Sequence, residues 1–467
     1  MKNSSSQLTS DALFSWRGKV RLSSAISIAL QHLVAMIVGC VTPAIIIANV
    51  IGLPQDERVL LIQGSLVMSA VSTFLQLFPI GKRFGSGLPV ILGVSFAYLP
   101  SMQAIASSGG GIASIMGATL VGGIVALIVG IFVTKIRKLF PPVITGTVVF
   151  TIGLSLYPTA INYMAGGASN TYEFVVETKH LSSALVYGSW QNWLIAIITL
   201  AIVMVLNNHA KGIAKLASIL IGMICGYIIS IPMGMVDFSA VSSSALFSAP
   251  RPLHFGIRFD VAACVAMGLL FAINAVQAIG DFTATTVGGF DREPSDKELQ
   301  GGIIAYGASN ILAGLFGSLP TATYSQNVGI VSTTKVVNRT VFALTGGFLF
   351  LAGISPRFAS ILTTIPQCVL GGATVTVFSS IAMTGMKLIA SADFSARNTT
   401  IVGLSAALGV GISQASTALA QFPDSITMIF GKSPVVIATL MAVFLNVVLP
   451  KDKEGQGCKC ESSTQED

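Results

Sequence analysis

The sequence predicts an all-α polytopic membrane protein, and three observations carry that prediction. Only 10% of the 467 residues are charged, against roughly 25% in an average soluble domain. The hydrophobic fraction is 53% and the mean hydropathy +0.80. The apolar runs are long and continuous rather than alternating, as in spanning helices and not barrel strands. The 26 basic and 19 acidic residues are too few to cover a soluble globule of this size. These figures also exclude a disordered chain and a disulfide-stapled scaffold. The 47 glycines and 18 prolines point to close helix packing and broken helices.

Fourteen spans follow in order. Spans 1 and 2, near 23–50 and 58–80, lie between the basic Arg17-to-Arg21 stretch and Lys82-Arg83. Span 3, near 88–104, is short and polar; span 4, near 112–133, stops at Lys135, Arg137 and Lys138. Spans 5 and 6, near 140–160 and 191–207, lead to Lys211 and Lys215, and span 7 occupies 214–236. Spans 8 and 9, near 259–286 and 301–318, flank the solvated stretch from Asp291 to Glu298. Span 10, near 321–336, is again short and polar. Spans 11 to 14 lie near 338–355, 359–385, 397–416 and 433–450. Between them, spans 3 and 10 carry Pro, Gly, Ser, Thr, Gln and Asn, a poor composition for a helix facing lipid.

Sorting the basic residues by side tests this topology. An even span count puts both termini on one side, and that side collects 20 of the 26 Lys and Arg residues. The positive-inside rule then makes both termini cytoplasmic and the membrane a cell membrane. It also accounts for the net charge of +7 without a nucleic-acid partner. Met1 to Lys19 is polar, so no cleavable signal peptide is expected. Cys40, Cys225, Cys264 and Cys368 sit in apolar runs as small hydrophobes, and Cys458 and Cys460 form a CxC pair in a polar tail from Lys451. No ligand set surrounds that pair, and no HExxH, GxSxG or phosphate-loop pattern occurs, so neither metal nor cofactor is expected.

The chain repeats itself. Leu88-Pro89 recurs as Leu319-Pro320 after 231 residues, and Pro141 with Gly146 recurs as Pro366 with Gly371 after 225. Constant order and near-constant offset imply two seven-span halves. Seven is odd, so the halves are inverted in the membrane, a pattern of secondary transporters with broken helices at midplane. The same offset maps Ser95-Phe96 onto Gln326-Asn327 and brings both to one cavity.

The strongest local signal is Thr323-Tyr324-Ser325-Gln326-Asn327-Val328-Gly329, continuing to Thr334-Lys335. Amides within a span are costly unless paired. Gln and Asn offer donors and an acceptor, matching the mixed edge of a purine or pyrimidine, while interhelical hydrogen bonding is the competing use.

These residues resemble the nucleobase–ascorbate transporters (nucleobase:cation symporter-2 family). The family pattern Q-N-x-G-x4-T-[KRG] reads here from Gln326 to Lys335. Gln31-His32 in span 1, Gly85-Ser86-Gly87-Leu88 before span 3, and Ile279-Gly280-Asp281-Phe282-Thr283-Ala284-Thr285 in span 8 match further signatures. The resemblance covers about 20 to 450 and is strongest to bacterial xanthine and uric acid permeases. It implies a core domain of 22–139 and 258–357 and a gate domain of 140–257 and 358–450, between tails 1–21 and 451–467. It also implies short strands in spans 3 and 10, an elevator-like motion of core against gate, and a homodimer. Carried over residue by residue, Gln326 grips the base, Ser325 offers its backbone amide, and Asn327 shapes the same strand. Phe96 contacts the base, Ser95 bears on which purine is accepted, and His32 supports the site.

Two positions depart from the family. Gln277 stands where the family has a Glu that contacts substrate and couples protons, and Tyr306 stands where its ninth span has Asp or Asn. Asp281, four residues after Gln277 on the same helix face, remains as the acid in midspan and the candidate proton carrier. A structural carboxylate paired with His32 or backbone donors is the alternative.

The resulting expectation is a secondary active permease importing xanthine or uric acid, coupled to H+ with Na+ left open. The alternatives are a carrier of uracil, another nucleobase or an ascorbate-like molecule, and an uncoupled facilitator. A membrane-embedded enzyme ranks below these, since no nucleophile–base pair or metal set sits at midplane.

Overall fold

The computed structural model describes residues 12–81, 83–133, 141–167, 186–415, 418–419, 421–422 and 433–450. The Cys458–Cys460 pair, the C-terminal tail, and the basic residues Lys135, Arg137, Lys138, Lys179 and Lys432 lie outside them.

The first half contains helices α1 (Leu22–Ile51), α2 (Gln55–Leu77), α3 (Leu99–Ser107), α4 (Gly111–Ile131), α5 (Pro142–Met164), α6 (Trp190–His209) and α7 (Ser218–Ser230). Strand β1 (Leu92–Val94) and a three-ten turn (Phe96–Tyr98) precede α3. The second half contains α8 (Val261–Phe290), α9 (Asp296–Leu315), strand β2 (Thr321–Thr323), α10 (Ser325–Thr334), α11 (Arg339–Gly353), α12 (Pro356–Thr363), α13 (Gln367–Ala390), α14 (Ala396–Gln414) and α15 (Pro434–Val448).

By length and composition, seven helices among the described residues are able to cross a membrane: α1, α2, α4, α5, α6, α8 and α13. The count is eight if α11 and α12, bent by 79° at a short break, form one span. Helices α7 and α15 are apolar but shorter. The expected boundary between spans 11 and 12 shifts here. Pro356 opens α12 and Pro366 precedes α13, so the expected 359–385 segment divides between a bent appendage and a helix of 24 residues. Proline supplies no N–H and fixes its own φ, which suits a helix start and interrupts a helix interior.

Small residues set the packing. A Cβ on Gly123 would lie 2.9 Å from the Gly307 oxygen, so α4 and α9 touch backbone to backbone. Helices α5 and α13 meet reciprocally. Gly146 near the start of α5 faces Ile389 near the end of α13, and Gly371 near the start of α13 faces Met164 at the end of α5. Without a Cβ at these positions the helices approach closely, which replaces the hydrophobic drive that lipid does not supply.

The two strands form an antiparallel pair with Leu92 opposite Thr323, Gly93 opposite Ala322 and Val94 opposite Thr321. Isolated strand edges buried in protein need partners. Thr73 Oγ1 of α2 donates to the Leu92 oxygen at 3.0 Å and accepts from its N–H at 3.2 Å. Ser69 Oγ accepts from the Val94 N–H at 3.1 Å. On the far edge, Asn310 Oδ1 of α9 accepts from the Thr321 N–H at 2.7 Å, and its Nδ2 donates to the Thr321 oxygen at 3.1 Å. Side chains of α2 and α9 therefore finish the sheet.

Candidate substrate site beside the paired strands

A cavity of about 270 Å³ lies beside the two strands. Ser95, Phe96 and Ala97 form one wall, and Thr323, Tyr324, Ser325 and Gln326 form the next. Gln277 of α8 and Gly39 of α1 close that side, while Val149 and Ile152 of α5, Leu216 and Ile219, and Val377 to Thr384 of α13 stand opposite. This volume is at the small end for a ligand site, and an apolar lining with few polar groups is the usual make-up.

Five of the sequence-predicted residues meet there: Ser95, Phe96, Gln277, Ser325 and Gln326. Pairing extends past both strands, with the Ser95 N–H donating to the Pro320 oxygen and the Tyr324 N–H to the Ile91 oxygen, each at 3.1 Å. That antiparallel register sends Phe96 out at one end of the pair and Ser325 at the other, and the cavity alongside is lined by both. Phe96 is held edge-on by Phe378, with ring centroids 5.1 Å apart. Its other side is left to the cavity, where a flat heterocycle can stack. Among the described residues, neither the Gln277 nor the Gln326 amide has a hydrogen-bond partner in the protein. Each is free to meet a ligand edge with a donor and an acceptor.

The α10 start adds backbone donors. The Asn327 and Val328 N–H groups return to the Tyr324 oxygen at 3.0 and 3.2 Å. Those of Ser325 and Gln326, in the first turn, have no acceptor in their own helix. Tyr324 Oη donates to the Val94 oxygen at 2.6 Å and fixes the turn between strand and helix.

Asp281 is buried directly behind this wall. Its carboxylate accepts from the Ser325 hydroxyl at 2.9 Å and from the Thr323 hydroxyl. The alternative pairing with His32 is not what forms. Instead Asn327 Nδ2 lies 3.1 Å from His32 Nδ1 and 3.1 Å from the His32 oxygen. His32 stacks at 4.7 Å on Phe342, and neither His32 nor Asn327 lines the cavity. Asn327 thus points away from the opening and pins α10 to α1; the helix turn of 100° per residue separates it from Gln326. Tyr306 does not reach the cavity either. It is fully buried, and its hydroxyl hydrogen-bonds to that of Tyr98.

Sequence reasoning missed Ser380 and Thr384 as lining residues, and it named Thr323 and Tyr324 in the motif without giving them a place in the site. Ser380 and Thr384 are four apart on α13, spacing that places them on one face. Their hydroxyls return to carbonyls one turn back, at 2.9 and 2.8 Å, which is also what a hydroxyl of no functional role does in a span. No group of three or more His, Cys, Asp or Glu able to hold a metal occurs among the described residues.

Comparison with known proteins gives the family and the fold. A family model described as "Permease family" matches residues 23–417. The uric acid permease PucJ of Bacillus subtilis is 34% identical over 432 residues, covering 92% of this chain and 93% of that one. The xanthine permease of the same organism is 32% identical over 431 residues, covering 91% and 93%. In fold, the transmembrane domain of the cyanobacterial bicarbonate transporter BicA is similar with a TM-score of 0.58 at 15% identity, covering 92% of this chain and 99% of that one. The chain is thus a multi-pass membrane protein that belongs to the nucleobase:cation symporter-2 family of permeases, whose members are transporters and not enzymes.

Proposed function

We propose that the protein imports a purine nucleobase, xanthine or uric acid, through the cavity between the paired strands and α13. The observation that carries this is the pair of free amides, Gln277 and Gln326, set around the exposed side of the Phe96 ring. A purine offers a flat π face for the ring and alternating donors and acceptors for the amides. Relatives with uric acid and xanthine in their names support the same class.

The fuller reading has fourteen spans in two inverted repeats, with core 22–139 and 258–357 moving as an elevator against gate 140–257 and 358–450. Cavity walls drawn from α1, α8 and the strands on one side, and α5 and α13 on the other, suit such a motion. The protein works as a homodimer in the bacterial inner membrane with both termini cytoplasmic. Transport is driven by protons through Asp281.

The test is uptake of radiolabelled xanthine into proteoliposomes, competed by uric acid, uracil and ascorbate. Competition by uric acid alone supports the reading; competition by uracil or ascorbate alone replaces the substrate. Repeating the assay with a pH gradient, a sodium gradient and neither separates proton coupling, sodium coupling and an uncoupled facilitator.

A further inference from the structure

Helix α9 lines none of the cavity, yet one of its faces is tied twice to the Phe96 end of the strand pair. Tyr306 and Asn310 are four residues apart and so share that face. The Tyr306 hydroxyl is bonded to the hydroxyl of Tyr98, two residues beyond Phe96. Asn310 holds both backbone groups of Thr321, which lies opposite Val94 and beside the Ser95–Pro320 bond. Asn310 Nδ2 also donates to the Tyr306 oxygen at 2.9 Å, which joins the two anchors.

The platform behind them is rigid. Gly307 sits against Gly123 and Leu127 of α4, where a Cβ would come within 2.6 Å of the Leu127 nitrogen. Phe271 of α8 fills the remaining side, with ring centroids 4.7 Å from Tyr98 and 5.9 Å from Tyr306. Tyr98 and Tyr306 are both fully buried, so each hydroxyl depends on the other. A hydroxyl left alone in such surroundings would carry its whole desolvation penalty.

We propose that Tyr306, acting through Tyr98 and together with Asn310, is a positioning residue that holds the Ser95–Phe96 wall in place from behind. The inference rests on the purine-transport reading for its functional meaning. Tyr306 touches no substrate; it fixes where the stacking ring stands. Errors of about 1 Å in such placement cost heavily in recognition.

The test compares Tyr306→Phe, Tyr98→Phe and the double variant at equal membrane abundance. Each single variant orphans one buried hydroxyl, and the double variant orphans none. Thermal stability in detergent should therefore fall in the singles and recover in the double. The KM for xanthine should rise about five- to tenfold in the singles, the worth of one buried hydrogen bond. It should stay raised in the double, because the tether is still missing. A double variant with wild-type KM reduces the pair to a packing role and overturns the proposal.

A second readout needs no substrate. A cysteine at position 95 is alkylated by a maleimide, and the peptide bearing residue 95 is quantified by mass. Tyr306→Phe should speed that alkylation several-fold; an unchanged rate with an unchanged KM overturns the proposal while leaving transport intact. If the unmodified chain accumulates neither xanthine nor uric acid but the alkylation rates still separate, the transport reading fails and the positioning role stands.

Discussion

The Ser325 hydroxyl donates to the Asp281 carboxylate at 2.9 Å and ties the first turn of α10 to the middle of α8. The Thr323 hydroxyl, on the strand side of the same turn, donates to the other carboxylate oxygen. The acid therefore spans the junction between β2 and α10, with no cation beside it among the described residues. A carboxylate in that setting has two uses, to hold the wall in place and to exchange a proton, and substitution separates them.

Asp281→Asn keeps the shape and loses the charge. Substrate binding is expected to persist within about tenfold, since an amide oxygen still accepts from one hydroxyl. Response of uptake to an inward proton gradient is expected to vanish. Proteoliposome uptake with and without the gradient reads both. A gradient response that survives the substitution moves coupling to another group. If protons drive import as proposed, uptake by the unmodified protein is expected to rise as external pH falls.

Gln277 lies one helical turn before Asp281 and lines the cavity that Asp281 does not reach. Gln277→Glu adds a carboxylate that touches both cavity and substrate. The expected result is stronger gradient-driven uptake, read as a larger ratio of uptake with a pH gradient to uptake without one. An unchanged ratio would show that position 277 binds the base without taking part in coupling.

Much of this site was legible in the sequence, and what was not has a physical reason. The offset of 231 between Leu88-Pro89 and Leu319-Pro320 located the two segments that pair as strands. It named Ser95-Phe96 and Gln326, which all line the cavity, but a constant offset does not give an antiparallel register, in which Ser95 meets Pro320 and not Gln326. Motif spacing could not show that Asn327 turns away from its neighbour Gln326 to meet His32, 295 residues earlier. Nor could it reveal that Tyr306 answers to Tyr98. Which way a residue faces on a helix is decided by the partner helix, and that partner is distant in sequence. Ser380 and Thr384 were silent for another reason: hydroxyls that satisfy themselves on their own backbone appear on any face of a span.

Gly93 faces Ala322 across the strand pair, and a Cβ there would lie 2.6 Å from Cys40 Sγ and 2.9 Å from the Tyr324 ring. Gly93→Ala should displace Tyr324 and break its bond to the Val94 oxygen. Overpacking of this kind costs about 1–3 kcal/mol. Transport is expected to fall far more than membrane abundance, and Cys40→Ala in the same chain should restore part of it by making room. A Gly93→Ala variant with normal uptake would mean that the strand pair yields without disturbing the cavity.

The last expectation concerns how α3, which follows the Phe96 wall, is held to its neighbours. Ser101 of α3 and Ser433, just before α15, share a buried hydrogen bond of 2.8 Å. Close by on α3, Gln103 and Thr159 of α5 exchange bonds of 3.3 Å. The second contact joins the half-helix that follows Phe96 to α5 of the other cavity wall, and the first joins it to the start of α15, a helix packed on α5, so any sliding of α5 and α15 past α3 must break them. Hydroxyl and amide pairs suit that task, since each is worth only about 1 kcal/mol net and is readily exchanged for water. Cysteines at 101 and 433 should therefore cross-link under mild oxidation and stop uptake, with recovery on reduction. The oxidised protein should still bind xanthine, because neither position lines the cavity. Uptake that continues at a full rate in the cross-linked protein would show that the two walls do not move apart during transport.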